Sequence, residues 1–284
     1  MEETPSSNIN TKLSDYSSGS PANPGQPMFE RPSGVFDVDK MKRDGLETKH
    51  VIAYSISHFA NDLCAAQWFV YLSWYIKKVV GLDANITGLC LLSGQIADGI
   101  TTPIVGILSD KIDTRWGKRM PWFYFGFIVV IPCFAGIFLY PPWVNGEDVS
   151  EGFRNAWYIT LPALFNVGWA SVQISSMSIV NQLTYSNRQR DTLSNNRNGL
   201  TYAANITVLA VALVLFLKIT DEVQQFQILC GTCLSLGFCT SMFYMCTVNE
   251  IKLSREATRL DKEYKIAKLG EEALEIEEEN RKSE

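Results

Sequence analysis

Six apolar stretches of near-membrane length fill the middle of this chain, at about 51–76, 86–108, 121–140, 157–182, 199–219 and 226–248. A helix rises about 1.5 Å per residue and a bilayer core is ~30 Å thick, so each stretch is long enough to cross. In lipid the backbone has no water to bond to, and a helix satisfies it internally. The expected fold class is an all-α integral membrane protein with six transmembrane helices. Pro121 stands where a third helix should open, a position that costs no hydrogen bond, and Pro141 and Pro142 close it. Pro103, Pro132 and Pro162 fall inside stretches, where a bundle tolerates them as kinks.

Composition averages conceal this pattern. Mean hydropathy is +0.01 because a strongly apolar middle is diluted by polar flanks. Residues 1–49, with SSGSPANPGQP, have the composition of a disordered tail. Residues 50–248 form the six-helix part. Residues 249–284 form a charged linker in which Leu253, Leu260, Tyr264 and Ala267 recur at helical spacing; an amphipathic helix and a solvated linker both fit. No Arg-flanked short apolar stretch opens the chain, so a cleaved signal peptide is not expected. Basic residues are scattered in loops, which argues against nucleic acid as a partner. All seven cysteines lie in apolar runs; the Cys230-x-x-Cys233 pair reads as helix packing before it reads as a redox or metal motif.

Lys and Arg set an expected orientation. Lys40, Lys42, Arg43 and Lys49 precede the first stretch; Lys111, Arg115, Lys118 and Arg119 lie between the second and third. Arg188, Arg190 and Arg197 lie between the fourth and fifth, and Lys252 and Arg255 follow the sixth. The opposite loops carry only Lys77, Lys78, Arg154 and Lys218. The positive-inside rule puts both termini in the cytosol.

Two acids, Asp62 and Asp98, sit inside apolar stretches. An ionised Asp at a membrane helix centre costs roughly 2.5–3.5 kcal/mol on insertion scales, so such residues mark sites for a cation, a proton or a substrate. With the orientation above, Asp62 lies about 16 Å and Asp98 about 15 Å from the cytosolic face, and Gln173 about 13 Å. These depths are near the midplane, where secondary transporters hold their substrates. His58 is one turn before Asp62, and Thr102 one turn after Asp98; Asn61 and Gln95 lie close by. His58 reads either as a proton relay or as a hydrogen-bond partner that shields Asp62. Arg197 is the one membrane-proximal cation that offers Asp62 or Asp98 a salt bridge.

The loop between the second and third stretches is the other signal. It runs from Gly106 through Asp110 and Asp113 to Arg115-Trp116-Gly117-Lys118-Arg119 and on to Pro121-Trp122. Gly106 would admit a neighbouring helix at close range, and Asp110 can accept hydrogen bonds from the loop cations.

This loop resembles the signature cytosolic loop of the major facilitator superfamily, in the variant of the glycoside–pentoside–hexuronide:cation symporter family, whose known type is the melibiose carrier. Asn61-Asp62, Val79-Val80-Gly81-Leu82, Asp98 and Arg188-Gln189-Arg190-Asp191 extend the likeness. The resemblance implies that the six helices are the N-terminal half of that fold, with the C-terminal half missing here, as in a fragment or short isoform. It also implies a multi-pass carrier, not an enzyme, with no catalytic residue, no cofactor and no metal. Substrate or cation coupling would fall to Asp62, Asp98, His58, Asn61, Gln95, Thr102 and Gln173. The conformational loop would comprise Gly106, Asp110, Arg115, Gly117, Lys118 and Arg119. Blocks around His58–Ala65, Gly94–Gly99, Gly168–Ser175 and Ala204–Val208 point to one branch of the family, which implies import of cysteine into lysosomes or melanosome-like organelles. The symporter pattern has further acids where Thr102 and Gln173 stand here. That departure favours H+ over Na+, because a hard cation wants several oxygen ligands. Two alternatives remain: a sugar:cation symporter, with a plasma-membrane location open as well, and a truncated membrane protein that does not transport.

Overall fold

The first apolar stretch does not form one helix. In the computed structural model, which describes residues 41–283 and side chains through residue 270, it divides into α1 (Thr48–Ser55) and α2 (Phe59–Trp74), with a π turn at Tyr75–Val79. The sequence reading took 51–76 as one span, because no Pro or Gly interrupts it. At the break the backbone ladder tightens: Ser57 N–H bonds to Tyr54 O and Phe59 N–H to Ile56 O, each spanning three residues instead of four. Before the break Ser55 Oγ bonds back to Val51 O, competing with the ladder, and within it Ser57 Oγ lies 2.6 Å from Ser176 Oγ on α5. The π turn ends at Gly81, whose φ of +78° favours glycine.

Five further helices are each long and apolar enough to cross a membrane. They are α3 (Ala84–Lys111), α4 (Met120–Phe138), α5 (Glu151–Ser178), α6 (Asn187–Lys218) and α7 (Glu222–Thr247). A short turn at Val180–Leu183 extends α5. Ser150 caps α5 by accepting from Phe153 N–H, and Asp221 caps α7 by accepting from Val223 N–H. The sixth crossing of the sequence reading reaches a comparable length only as the composite of α1, α2 and the π turn. Pro103, Pro132 and Pro162 all lie inside helices, and Pro121 lies in the first turn of α4.

α5 packs between α3 and α4, and α2 between α6 and α7. Aromatic side chains fill part of the interior: Trp68 stacks on Phe165 at 5.0 Å, and Tyr75, Phe138 and Phe226 form a mutual cluster. Small residues allow the closest crossings. A Cβ on Gly126 would stand 2.5 Å from the Gly168 carbonyl oxygen. Gly126→Ala should therefore destabilise the protein by about 1–3 kcal/mol through forced separation of α4 and α5. Gly231→Ala, on a helix face with open space, should not. Thermal unfolding of both variants in detergent checks this.

The linker is a helix, α8 (Glu250–Ser283), and its first turns are packed: Leu253 and Ala257 are buried. Residues 1–40, which the composition assigned to a tail, lie outside the described residues. Residues 41–49, assigned to the same tail, are tied down. Asp44 accepts from Leu46 N–H and from Thr184 Oγ, and Arg43 pairs with Asp261 and lies over the Tyr264 ring. Composition counts polar groups but does not reveal that they are paired across the fold. Burial alone would raise the Asp261 carboxyl; hydrogen bonds from Lys265 and Arg43 outweigh it and hold the group below the usual carboxylate value.

Candidate functional site

The break in the first span places His58 at the N-cap of α2, one turn before Asp62. His58 Nδ1 lies 2.8 Å from Asp62 Oδ1, and Thr201 Oγ on α6 donates to Asp62 Oδ2 at 2.8 Å. Both His58 and Asp62 are buried, and no Lys or Arg among the described residues pairs with Asp62. Asn61 Nδ2 reaches His58 Nε2 at 3.3 Å and donates to Trp169 O on α5 at 3.2 Å. One carboxylate, one imidazole, one amide and one hydroxyl thus join α2, α5 and α6. His58 and Thr201 each bring a mobile proton, tautomeric in one and rotatable in the other, to an oxygen of Asp62.

The other predicted residues stand apart. Asp98 is half-buried on α3, and its one side-chain bond is from its own Thr102, 3.1 Å away. Gln95 is exposed on the same helix, and Gln173 is half-buried on α5 without a side-chain hydrogen bond. The structure contains no bond between the Asp62 cluster and Asp98, Gln95 or Gln173. Arg197 does not reach either acid; it donates to Asn198 Oδ1.

Thr201 was missed by the sequence reading, since a threonine in an apolar helix ordinarily bonds back to its own turn. It does so only weakly here, at 3.4 Å from Arg197 O. Behind Asn61 lies a cavity of about 20 Å³ between α2, α4, α5 and α7. Asn61 Oδ1 and Ser241 Oγ line it, both buried and without a partner in the protein. It has room for about one water and none for an organic solute.

The loop after α3 is closed by a residue from the linker. Glu250, buried at the start of α8, accepts from Lys118, Arg119 and Met120 N–H at 2.8–3.1 Å. A carboxylate at a helix N-terminus neutralises the free amides and the positive dipole end of α4. Gly117 makes this contact possible: its φ is +107°, and a Cβ there would stand 2.3 Å from Glu250 Oε2. Arg119 bonds Asp110 and Ser109, and Arg115 lies over the Trp116 ring. Gly106 has open space around it, so the close helix approach expected there is absent among the described residues.

Residues 53–276 match the family described as MFS/sugar transport protein. The chain belongs to that family. It is an all-α, multi-pass membrane protein, similar to the major facilitator superfamily domain-containing protein 12 of Homo sapiens, at 35% identity over 62% of this chain and 37% of that one. The Mus musculus protein of the same name is 36% identical over 58% of this chain and 34% of its own length. The isoprimeverose transporter of Lactiplantibacillus pentosus is 32% identical over 58% and 33%. The matched part thus spans about a third of each relative's length. The resemblance that the loop and the Asp62 block suggested is in this way shown at the level of the family.

Proposed function

We propose that this chain is the N-terminal half of a secondary-active or facilitative solute carrier, H+-linked through Asp62. The observation that carries the reading is the Asp62 cluster: a buried acid in a membrane span, held by His58 and Thr201 and unpaired by any strong base. A structural salt bridge would explain an intramembrane acid more simply, and that partner is missing among the described residues. Asp62 would exchange the coupling proton, His58 would relay it, and Asn61 would orient the imidazole. Asp98, Thr102, Gln95 and Gln173 would line the substrate path on faces of α3 and α5 open toward a second half. The loop Gly106, Asp110, Arg115, Gly117, Lys118 and Arg119 would lock and release the cytosolic ends of the helices.

The substrate we propose is cysteine, carried into lysosomes or related organelles with both termini in the cytosol. The family branch carried by the Asp62 and Asp98 blocks supports it, and so does the 35% identity to domain-containing protein 12. A sugar:cation symporter, with H+ or Na+ as the cation and the plasma membrane as its location, is the second reading. The isoprimeverose transporter, a sugar carrier by its name, favours it. Reconstituted into vesicles in a form extended to the length of its relatives, the carrier should accumulate labelled cysteine and ignore excess galactoside. Inhibition by the galactoside with no cysteine uptake would transfer the assignment to the sugar reading. Uptake of neither would favour a membrane protein that does not transport.

Thr201→Val is a sharper probe of the cluster. It keeps volume and removes one donor to Asp62, worth about 1.5–3 kcal/mol when the acceptor is charged. Cysteine uptake should fall roughly threefold to tenfold as Asp62 loses that donor. Unchanged uptake would mean that Thr201 only packs.

A further inference from the structure

A basic groove of about 760 Å³ lies where α4 begins and α7 ends, roofed by the first turns of α8. Its rim carries Arg115, Lys252, Arg255 and Arg259, all exposed. Two acids line it. Glu250 is spent on the backbone amides of Lys118, Arg119 and Met120, and Glu256 leans away toward Gly45, where a Cβ would meet its Cδ at 2.4 Å. Arg255 makes no ion pair among the described residues, Arg115 only stacks on Trp116, and Arg259 reaches Glu263 at 3.8 Å. The four cations therefore face one space with little internal neutralisation.

The wall below the cations is apolar. Met120 and Tyr124 from the first turn of α4 and Met245 from the last turns of α7 form it, with exposed Trp116 set edge-on to Tyr124. These are the ends of two membrane-spanning helices, so the groove sits at the level where headgroups meet acyl chains. Cations above an apolar wall match an anionic lipid in both halves of its structure. A single phosphate would leave most of the four cations unmatched; a multiply phosphorylated headgroup would not. The volume suits a ring-sized polar group.

We propose that this groove binds the phosphorylated headgroup of an inositol lipid from the adjacent leaflet. The assignment is independent of the transport reading and requires only that the helix ends of α4 and α7 lie at the membrane surface. Arg115 and Arg255, which also flank the Gly117 turn from its other side, would grip phosphates, while Trp116 anchors at the interface.

The test uses the full chain in a neutral detergent, titrated with dioctanoyl phosphatidylinositol 4,5-bisphosphate, dioctanoyl phosphatidylcholine and soluble inositol trisphosphate. Binding can be read by native mass spectrometry or thermophoresis. The phosphoinositide should bind at least about tenfold tighter than the choline lipid, and weaken as salt is raised. Arg115→Gln/Arg255→Gln should lose roughly tenfold or more of that affinity. Lys252→Gln/Arg259→Gln, which changes two exposed rim residues, should lose a similar amount and stands in should the first pair fail to fold. Lys77→Gln/Lys78→Gln, at the opposite ends of the helices, should lose none. No preference for the phosphoinositide, or equal losses in rim and control variants, overturns the site. Equal affinity for the soluble headgroup overturns the lipid assignment in favour of a free inositol phosphate.

Discussion

Asp62→Asn should abolish coupled uptake in the extended carrier, lowering the rate by at least about tenfold, while leaving the fold intact. The amide matches the carboxylate in size. Its oxygen can accept from His58 Nδ1–H, and its nitrogen can donate to the Thr201 hydroxyl, so both contacts survive. What disappears is the proton-exchanging charge. Thermal stability should stay equal or rise, because burying a neutral amide costs less than burying an ion. Asp98→Asn should weaken uptake without removing the pH response, since Asp98 touches only Thr102 and lies outside the His58 cluster. Uptake assays across a pH gradient in vesicles separate the two. Full activity with Asp62→Asn would remove the coupling role, and an equal loss of pH response in both variants would make the acids one unit.

The elements that carry long-range periodicity were legible in the sequence; those that depend on one tertiary contact were not. Apolar run length located the five long helices α3 to α7, and Pro121 marked the start of α4 because its chemistry is local. Helical spacing placed His58 on the same face as Asp62, and the structure holds them 2.8 Å apart. The break at Ile56–His58 gave no such signal: there Ser57 meets Ser176, a contact across 119 residues. Thr201 likewise reaches Asp62 across 139 residues from a helix whose composition looks purely structural. Conversely, equal depth in a bilayer suggested that Asp62, Asp98 and Gln173 would meet. Depth is one coordinate of three, and no hydrogen bond in the structure joins these groups to one another.

Glu250→Ala should be the most damaging single change for stability, at about 2–4 kcal/mol. Glu250 is buried, and its two oxygens accept from three successive amides, those of Lys118, Arg119 and Met120. Truncation removes the acceptor of those three amides and the charge opposite the α4 dipole. Glu250→Gln keeps one acceptor and should recover roughly half of the loss; Glu250→Asp, one methylene shorter, should fall short of the amides and resemble alanine. The Gly117 turn supplies an independent check. Gly117→Ala places a Cβ against the carboxylate at a positive φ, so it should destabilise by a similar amount through the same contact. Because both changes disturb the Glu250 contact, the double variant should cost clearly less than the sum of the two, while the positive-φ strain at position 117 persists in it. Denaturant titration of the three variants in detergent measures this coupling. Simple addition of the two losses would show that the loop and the linker helix are held independently, and that α8 does not clamp the start of α4.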